Sequence, residues 1–257
     1  TGFRVGELLE QPNLGSVSCE AGLNGVVGKG LIDARVDGSV SQLEFNGYDY
    51  DSLRFGGRLT EKTFNGHVRA DDPALRFDFQ GEVGFNPERP HYDFDLDLIH
   101  ADLARMHLNR RDSVSVLSAL VEARASGRTL DDLNGKVTVG DVVYRYNADT
   151  LRTTRLTLDG QNSAGSKYLS LQSEFADATF RSRTDYKTVF EKYIPLLYDE
   201  RKARKRAAGA VSVVDDYSVL SVDVKHFTPV ADAVADGLQI ADGSQLRLLF
   251  NPANDKL

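Results

Sequence analysis

Between Leu75 and Leu98 the chain alternates apolar and polar residues with a period of two. Leu75, Phe77, Phe79, Val83 and Phe85 are interleaved with Arg76, Asp78, Gln80 and Glu82; Tyr92, Phe94, Leu96 and Leu98 follow, separated by Asp93, Asp95 and Asp97. Successive side chains of a strand point to opposite faces, so each run presents one apolar and one charged face. A strand buried on both sides, as in a parallel sheet, would not carry that charge. The pattern predicts an antiparallel sheet that is wet on one side. Shorter alternations at Leu53/Phe55/Leu59, Val137/Val139, Leu156/Leu158, Leu169/Leu171, Leu220/Val222/Val224 and Leu246/Leu248/Phe250 extend the same expectation.

Leu23-Asn24-Gly25, Phe45-Asn46-Gly47, Phe64-Asn65-Gly66 and Leu133-Asn134-Gly135 share an apolar-Asn-Gly pattern, and Leu158-Asp159-Gly160 varies it. Asn-Gly and Asp-Gly tolerate positive φ, so hairpin turns are expected at all five. Val114–Ala125 has the composition of a helix but the alternation of a strand, and its place between strands favours strand. Leu130–Leu133 reads as one helical turn. Asp185–Tyr198 carries Tyr186, Val189, Phe190, Tyr193, Ile194 and Leu197 on one helical stripe, with Pro195 bending or ending it. Pro229–Ala235 is a shorter candidate helix. Between the two, Arg201-Lys202-Ala203-Arg204-Lys205-Arg206 reads as a solvated connection. The expected organisation is a sheet segment at 1–198 ending in an amphipathic helix, a basic linker at 199–215, and more sheet at 216–257.

The charge balance of −7 argues against a general nucleic-acid binder, which needs a basic footprint. Cys19 is the sole cysteine, so one chain can form neither a disulfide nor a thiolate zinc site. No stretch approaches the roughly 20 apolar residues of a membrane-spanning helix. The opening Thr1-Gly2-Phe3-Arg4 lacks a leader, and the chain reads as a piece of a longer protein.

No catalytic or metal-binding constellation emerges. His100 and His107 match no zinc spacing, and His67, His91 and His226 stand alone. Asp93, Asp95 and Asp97 alternate with bulky apolar residues, unlike a calcium loop, and read as the wet face of a strand. Gly25-Val26-Val27-Gly28-Lys29-Gly30 is too short for a phosphate loop and runs on into strand-like Leu31-Ile32. No enzyme and no cofactor are expected. The basic run after an amphipathic segment could rest on anionic lipid, although a flexible loop accounts for it more simply.

The stretches Phe64-Asn65-Gly66, Asp71-Asp72-Pro73-Ala74-Leu75, Phe77-Asp78-Phe79-Gln80-Gly81 and His100-Ala101-Asp102-Leu103 resemble TamB-like members of the AsmA-like superfamily, Bacteroidota type. So do Asp112-Ser113-Val114-Ser115-Val116-Leu117, Leu130-Asp131-Asp132-Leu133-Asn134-Gly135 and Ser173-Glu174-Phe175-Ala176-Asp177-Ala178. The likeness spans about residues 40–195 and, more faintly, 216–257. It rests on the order of short structural motifs.

The resemblance implies an elongated antiparallel sheet curled into a U-shaped apolar trough, a β-taco, with one or two short helices. It also implies a periplasmic location in an inner-membrane-anchored protein of the cell envelope, and a role in moving phospholipid to the outer membrane. An outer-membrane barrel protein is the implied protein partner, reached through regions outside this chain, as is the membrane anchor.

The groove-lining residues would be Leu53, Phe55, Leu59, Leu75, Phe77, Phe79, Val83, Phe85, Tyr92, Phe94, Leu96, Leu98, Val137, Val139, Leu156, Leu158, Leu169 and Leu171. A sixteen-carbon chain costs roughly 12 kcal/mol to expose to water, at about 0.8 kcal/mol per methylene, and such a lining could cover it. About ten to twelve strands at about 4.8 Å spacing would give a trough on the order of 50 Å long.

The alternatives are a module that assists outer-membrane protein assembly by strand addition, an outer-membrane β-barrel, and a closed β-sandwich. The absence of Trp and the 27% charged residues count against the barrel. Parity alone assigns residues to a face, and a single bulge would invert the assignment beyond it.

Overall fold

The computed structural model describes residues 3–4, 13–28, 31–163, 165–183, 185–186, 218–227, 230 and 240–250. The fold is mainly β, and helical conformation among the described residues is confined to Tyr186 and Val230. The strands are β1 (Phe3–Arg4), β2 (Leu14–Gly28), β3 (Leu31–Phe45), β4 (Tyr48–Tyr50), β5 (Leu53–Thr60), β6 (Thr63–Asp71), β7 (Leu75–Gly84) and β8 (His91–Asp102). They continue with β9 (Ser115–Ser126), β10 (Asn134–Tyr146), β11 (Asp149–Ser163), β12 (Ser166–Ser173), β13 (Ala176–Ser182), β14 (Ser218–Val224) and β15 (Gln245–Phe250). Their hydrogen-bonded order follows the sequence, except that β4 branches off by pairing with β3 alone. Among the described residues no pairing joins β15 back to β1, so the order is open. The expected helices at 185–198 and 229–235 and the linker at 199–215 lie almost entirely outside the described residues.

The chain divides into two compact units, one of Thr1–Arg124 with Thr138–Arg155, the other of Ala125–Val137 with Leu156–Leu257. In the first unit, antiparallel pairing stacks like residues in rows across the strands. One row reads Gly38, Phe55, Val68, Phe79, Leu96; the next reads Val36, Gly57, Gly66, Gly81, Phe94; a third reads Ala34, Leu59, Phe64, Val83, Tyr92. Directly opposed residues share a face, so these rows make one apolar surface. The opposite face carries Arg54 and Arg58 on β5, Arg69 on β6, Asp78 and Glu82 on β7, and Asp93, Asp95 and Asp97 on β8.

Of the five Asn-Gly and Asp-Gly motifs, only Asn46-Gly47 is a hairpin turn. Its φ values of 54° and 75° suit the two-residue connection between the paired Phe45 and Tyr48. Asn24-Gly25, Asn65-Gly66, Asn134-Gly135 and Asp159-Gly160 lie within strands, which corrects the expectation. Gly66 and Gly160 answer a different demand, the close approach of neighbouring backbone, while Gly25 and Gly135 keep positive φ inside their strands. A Cβ on Gly66 would lie 2.7 Å from the Gly57 Cα, and one on Gly160 would lie 2.6 Å from the Leu133 carbonyl oxygen. Leu130–Leu133 forms a turn rather than a helical one, held by Asp132, whose carboxylate accepts the backbone N–H groups of Arg128 and Thr129.

Val114–Ala125 is a strand as expected, within one residue of β9. Bulges occur where parity alone would fail. In β8, Ile99 and His100 together span the position opposite Arg76, so Leu98 and Ala101 stay on the face of Phe77 and Leu75, and Ile99 turns to solvent. In β10, Asp141 has φ 47°, and beyond it Tyr144 and Tyr146 stack with ring centroids 5.4 Å apart.

One end of the first unit's apolar face is closed by a packed cluster. Tyr50, Ala74, Ala101 and Met106 are buried there, with Leu53, Leu75, Leu98, Leu103 and Leu117 against them. Asp72, 1% exposed, pins this end by accepting from the Tyr48 hydroxyl at 2.9 Å, the Asp51 N–H at 3.0 Å and the Ala74 N–H at 2.7 Å. Burial, then the hydrogen bond to Asp72 and the charge of that carboxylate, pushes the Tyr48 hydroxyl above its usual range. Near β9, Asn109 donates to Asp112, Ser115 and Tyr144, satisfying a buried polar group.

In the second unit β11–β15 form two apolar rows: Leu158, Leu171, Ala178, Val222, Leu246, and Gly160, Leu169, Phe180, Leu220, Leu248. Tyr186 sits on the second row, packing with Phe180, Leu169, Leu220 and Leu248. Its backbone N–H donates to Asp131, and Lys167 bridges Asp131 at 3.0 Å and Asp185 at 2.5 Å.

Candidate functional site

The candidate site is the apolar face of β3–β8 in the first unit. Antiparallel pairing brings Phe55, Leu59, Phe77, Phe79, Val83, Tyr92, Phe94 and Leu96 onto it. Each is half-buried rather than enclosed. Leu53, Leu75 and Leu98 share the face but pack against the end cluster. Phe85 lies past the last residue of β7, with its N–H bonded to the Lys62 carbonyl and its side chain exposed. Val139 belongs to the first unit, whereas Val137, Leu156, Leu158, Leu169 and Leu171 belong to the second. Within that second unit Leu158, Leu169 and Leu171 share the face on which Tyr186 rests.

Four contributors escaped the alternation: Phe64 and Val68 of β6, and Ala34 and Val36 of β3. β6 interposes Gly66 between its two apolar residues, and β3 uses small residues, so neither gives a strong period. The signal available was the polar partner set, Arg35, Asp37 and Ser39, which alternates with Ala34, Val36 and Gly38.

The centre of the face is a line of three glycines. Gly57, Gly66 and Gly81 lie opposite one another on adjacent strands. At about 4.8 Å between strands the line runs roughly 10 Å. Bulky rows flank it: Phe55, Val68, Phe79 on one side, Leu59, Phe64, Val83 on the other. These flanking rows are four residues apart along each strand, or about 13 Å between Cα positions. Side chains are missing at these three positions and present on both margins, with Val36 at one end of the line and Phe94 at the other. Phe94, in the next position along the line, leans on Phe79 with centroids 5.1 Å apart.

The reverse face is held in water by its charges. Arg58 makes a two-pronged contact with Asp33 at 2.7 Å, Arg124 reaches Asp93 at 2.8 Å and Asp95 at 3.0 Å, and Arg69 approaches Asp78 at 3.6 Å. Hydrogen bonds from Asn65, then His91, hold the Glu82 carboxyl below its usual range. Exposed pairs of this kind contribute little stability, and their role is to define which side faces solvent. Among the described residues no three His, Cys, Asp or Glu side chains converge on a cation site.

No protein-family model, curated protein or solved structure matches this chain.

Proposed function

We propose that the furrowed apolar face of β3–β8 shields lipid acyl chains, with the glycine line as its floor and the flanking aromatic and aliphatic rows as its walls. The supporting observation is that glycine line, set on the apolar side between two bulky rows, with no second sheet stacked over it among the described residues. Apolar contact is non-directional, so a chain can slide along such a floor without breaking specific bonds. Direction adds to the reading. A trough made by curling a sheet runs across its strands, and the glycine line runs that way too.

In this reading the chain is not an enzyme. It is a segment of a TamB-like, AsmA-like envelope protein in the periplasm, curled into a U-shaped trough that carries phospholipid between membranes. Its resemblance to that family motivates the location and the outer-membrane barrel partner.

Native mass spectrometry of the chain prepared without detergent, followed by lipid extraction, tests the proposal. Phospholipid should co-purify and should be lost in Phe79→Glu, which places a charge on the furrow wall. A folded chain that carries no lipid, and takes none from vesicles, overturns it.

A further inference from the structure

The closed end of the first unit's apolar face is covered by a loop. Residues 103–109 follow β8 and carry Met106, the chain's one methionine, 2% exposed and packed with Tyr50, Ala74 and Ala101. The same cluster takes in Leu53, Leu75 and Leu98, so the loop lies over lining of the apolar face itself. The loop is closed on itself, because the Leu103 carbonyl accepts the N–H groups of both Leu108 at 2.8 Å and Asn109 at 2.9 Å. It can therefore move as one piece. Its base is tied to β9: the Leu103 N–H donates to the Ser115 carbonyl at 2.7 Å, and the Asn109 amide donates to Asp112, Ser115 and Tyr144. Its tip is tied to the turn between β3 and β4. There the Asn46 amide donates to the Met106 carbonyl at 3.4 Å and the His107 carbonyl at 2.9 Å, and His107 donates from Nδ1 to the Asn46 carbonyl at 3.1 Å.

We propose that residues 103–109 are a hinged flap, with Met106 as its plug and Asn46 as its latch, which opens this end of the apolar face to an acyl chain. The gating role rests on the acyl-chain reading above; the hinge does not. The bonds at the base run to β9 and survive a swing of the tip. The bonds at the tip converge on Asn46, so opening breaks few of them. Methionine is unbranched and adaptable, which suits a plug that leaves its socket and returns. An empty open socket would expose Tyr50, Ala74, Ala101 and their neighbours to water, and that cost holds the flap shut. An acyl chain lying in the socket removes the cost, because it covers the same apolar surface. It binds the open state alone and therefore shifts the population toward it.

Met106 reports its own exposure. Its sulfur takes one oxygen from hydrogen peroxide, which leaves as water, and a peptide map of the full chain reads the sulfoxide. Oxidation should be slow in the parent. Asn46→Gly deletes the latch amide, keeps a turn that accepts positive φ, and should speed oxidation roughly tenfold. Asn46→Asp sets a carboxylate oxygen against the Met106 and His107 carbonyls and should speed it at least as much. Gly66→Ala strains the sheet away from the flap and should leave the rate within about twofold of the parent. No acceleration in either Asn46 variant overturns the latch. Equal acceleration by Gly66→Ala overturns the flap, because Met106 then opens only when the whole unit does. Uptake of a fluorescent phospholipid from mixed phosphatidylethanolamine and phosphatidylglycerol vesicles tests the gate: Asn46→Gly should load several-fold faster than the parent, and equal rates overturn the gate. Uptake by neither chain overturns the acyl-chain reading and the gate with it, and the oxidation result then stands for the hinge alone.

Discussion

Gly57 and Gly66 face each other across β5 and β6 so closely that a Cβ on either would stand 2.7 Å from the Cα of the other. Backbone flanks both positions, so no rotamer change can relieve the contact. Gly66→Ala should therefore destabilise the chain by about 1–3 kcal/mol, as overpacking does. Gly28, with nothing within 4 Å of an added Cβ, is the control, and Gly28→Ala should be near neutral. Urea midpoints of the two variants check this.

Asp72 organises the closed end of the first unit through three donated hydrogen bonds. Asp72→Asn keeps the shape but substitutes an N–H donor for one acceptor oxygen. The loss should be about 1–3 kcal/mol, the cost of leaving a buried donor unsatisfied. Tyr48→Phe should cost less, because it removes a single bond. Denaturant unfolding of both variants provides the comparison.

Tyr186 is 2% exposed, its hydroxyl has no hydrogen-bond partner among the described residues, and burial together with the Asp131 charge pushes its pKa up to about 12. The raised value means the unfolded chain releases the proton first. The stability tied to the neutral phenol is thus complete below pH 10 and declines as pH rises toward 12. Tyr186→Phe should be at least as stable as the parent at neutral pH, because an unpaired buried hydroxyl contributes nothing favourable. The stability difference between the two should then widen in favour of Phe above pH 10. Unfolding midpoints between pH 8 and pH 12 give the readout.

Val68 and His67 are neighbours in β6 that point to opposite faces, Val68 between Phe55 and Phe79, His67 between Gly56 and Gln80. Val68→Asp should lower stability by about 2–3 kcal/mol and abolish any lipid retention, while His67→Gln should stay within about 0.5 kcal/mol of the parent. Equal effects at the two positions would contradict the face assignment. Thermal melts and lipid extraction on both variants measure it.

The sheet was legible in the sequence wherever bulky residues alternate with charge. β7 and β8 are the clearest case, and β9 could be told from a helix by its context. The Asn-Gly motifs misled because the same conformational freedom serves two needs. Asn46-Gly47 uses it to turn the chain, whereas Gly66 uses the missing side chain to let Gly57 come close. Pairing decides between them, and pairing is non-local. The glycine line was invisible for the same reason: Gly57, Gly66 and Gly81 look unrelated until the register aligns them. The insertion at Ile99 likewise depends on the neighbouring strand, although it preserves the inward face.

The alignment of Gly57, Gly66 and Gly81 has a mechanical consequence. A row without side chains acts as a crease, the line along which a sheet folds most easily. Here the crease runs parallel to the inter-strand hydrogen bonds. Flexing about it moves the two halves of each strand toward or away from each other and leaves every one of those bonds at its length. The apolar rows on either side can approach or separate while the backbone ladder stays whole.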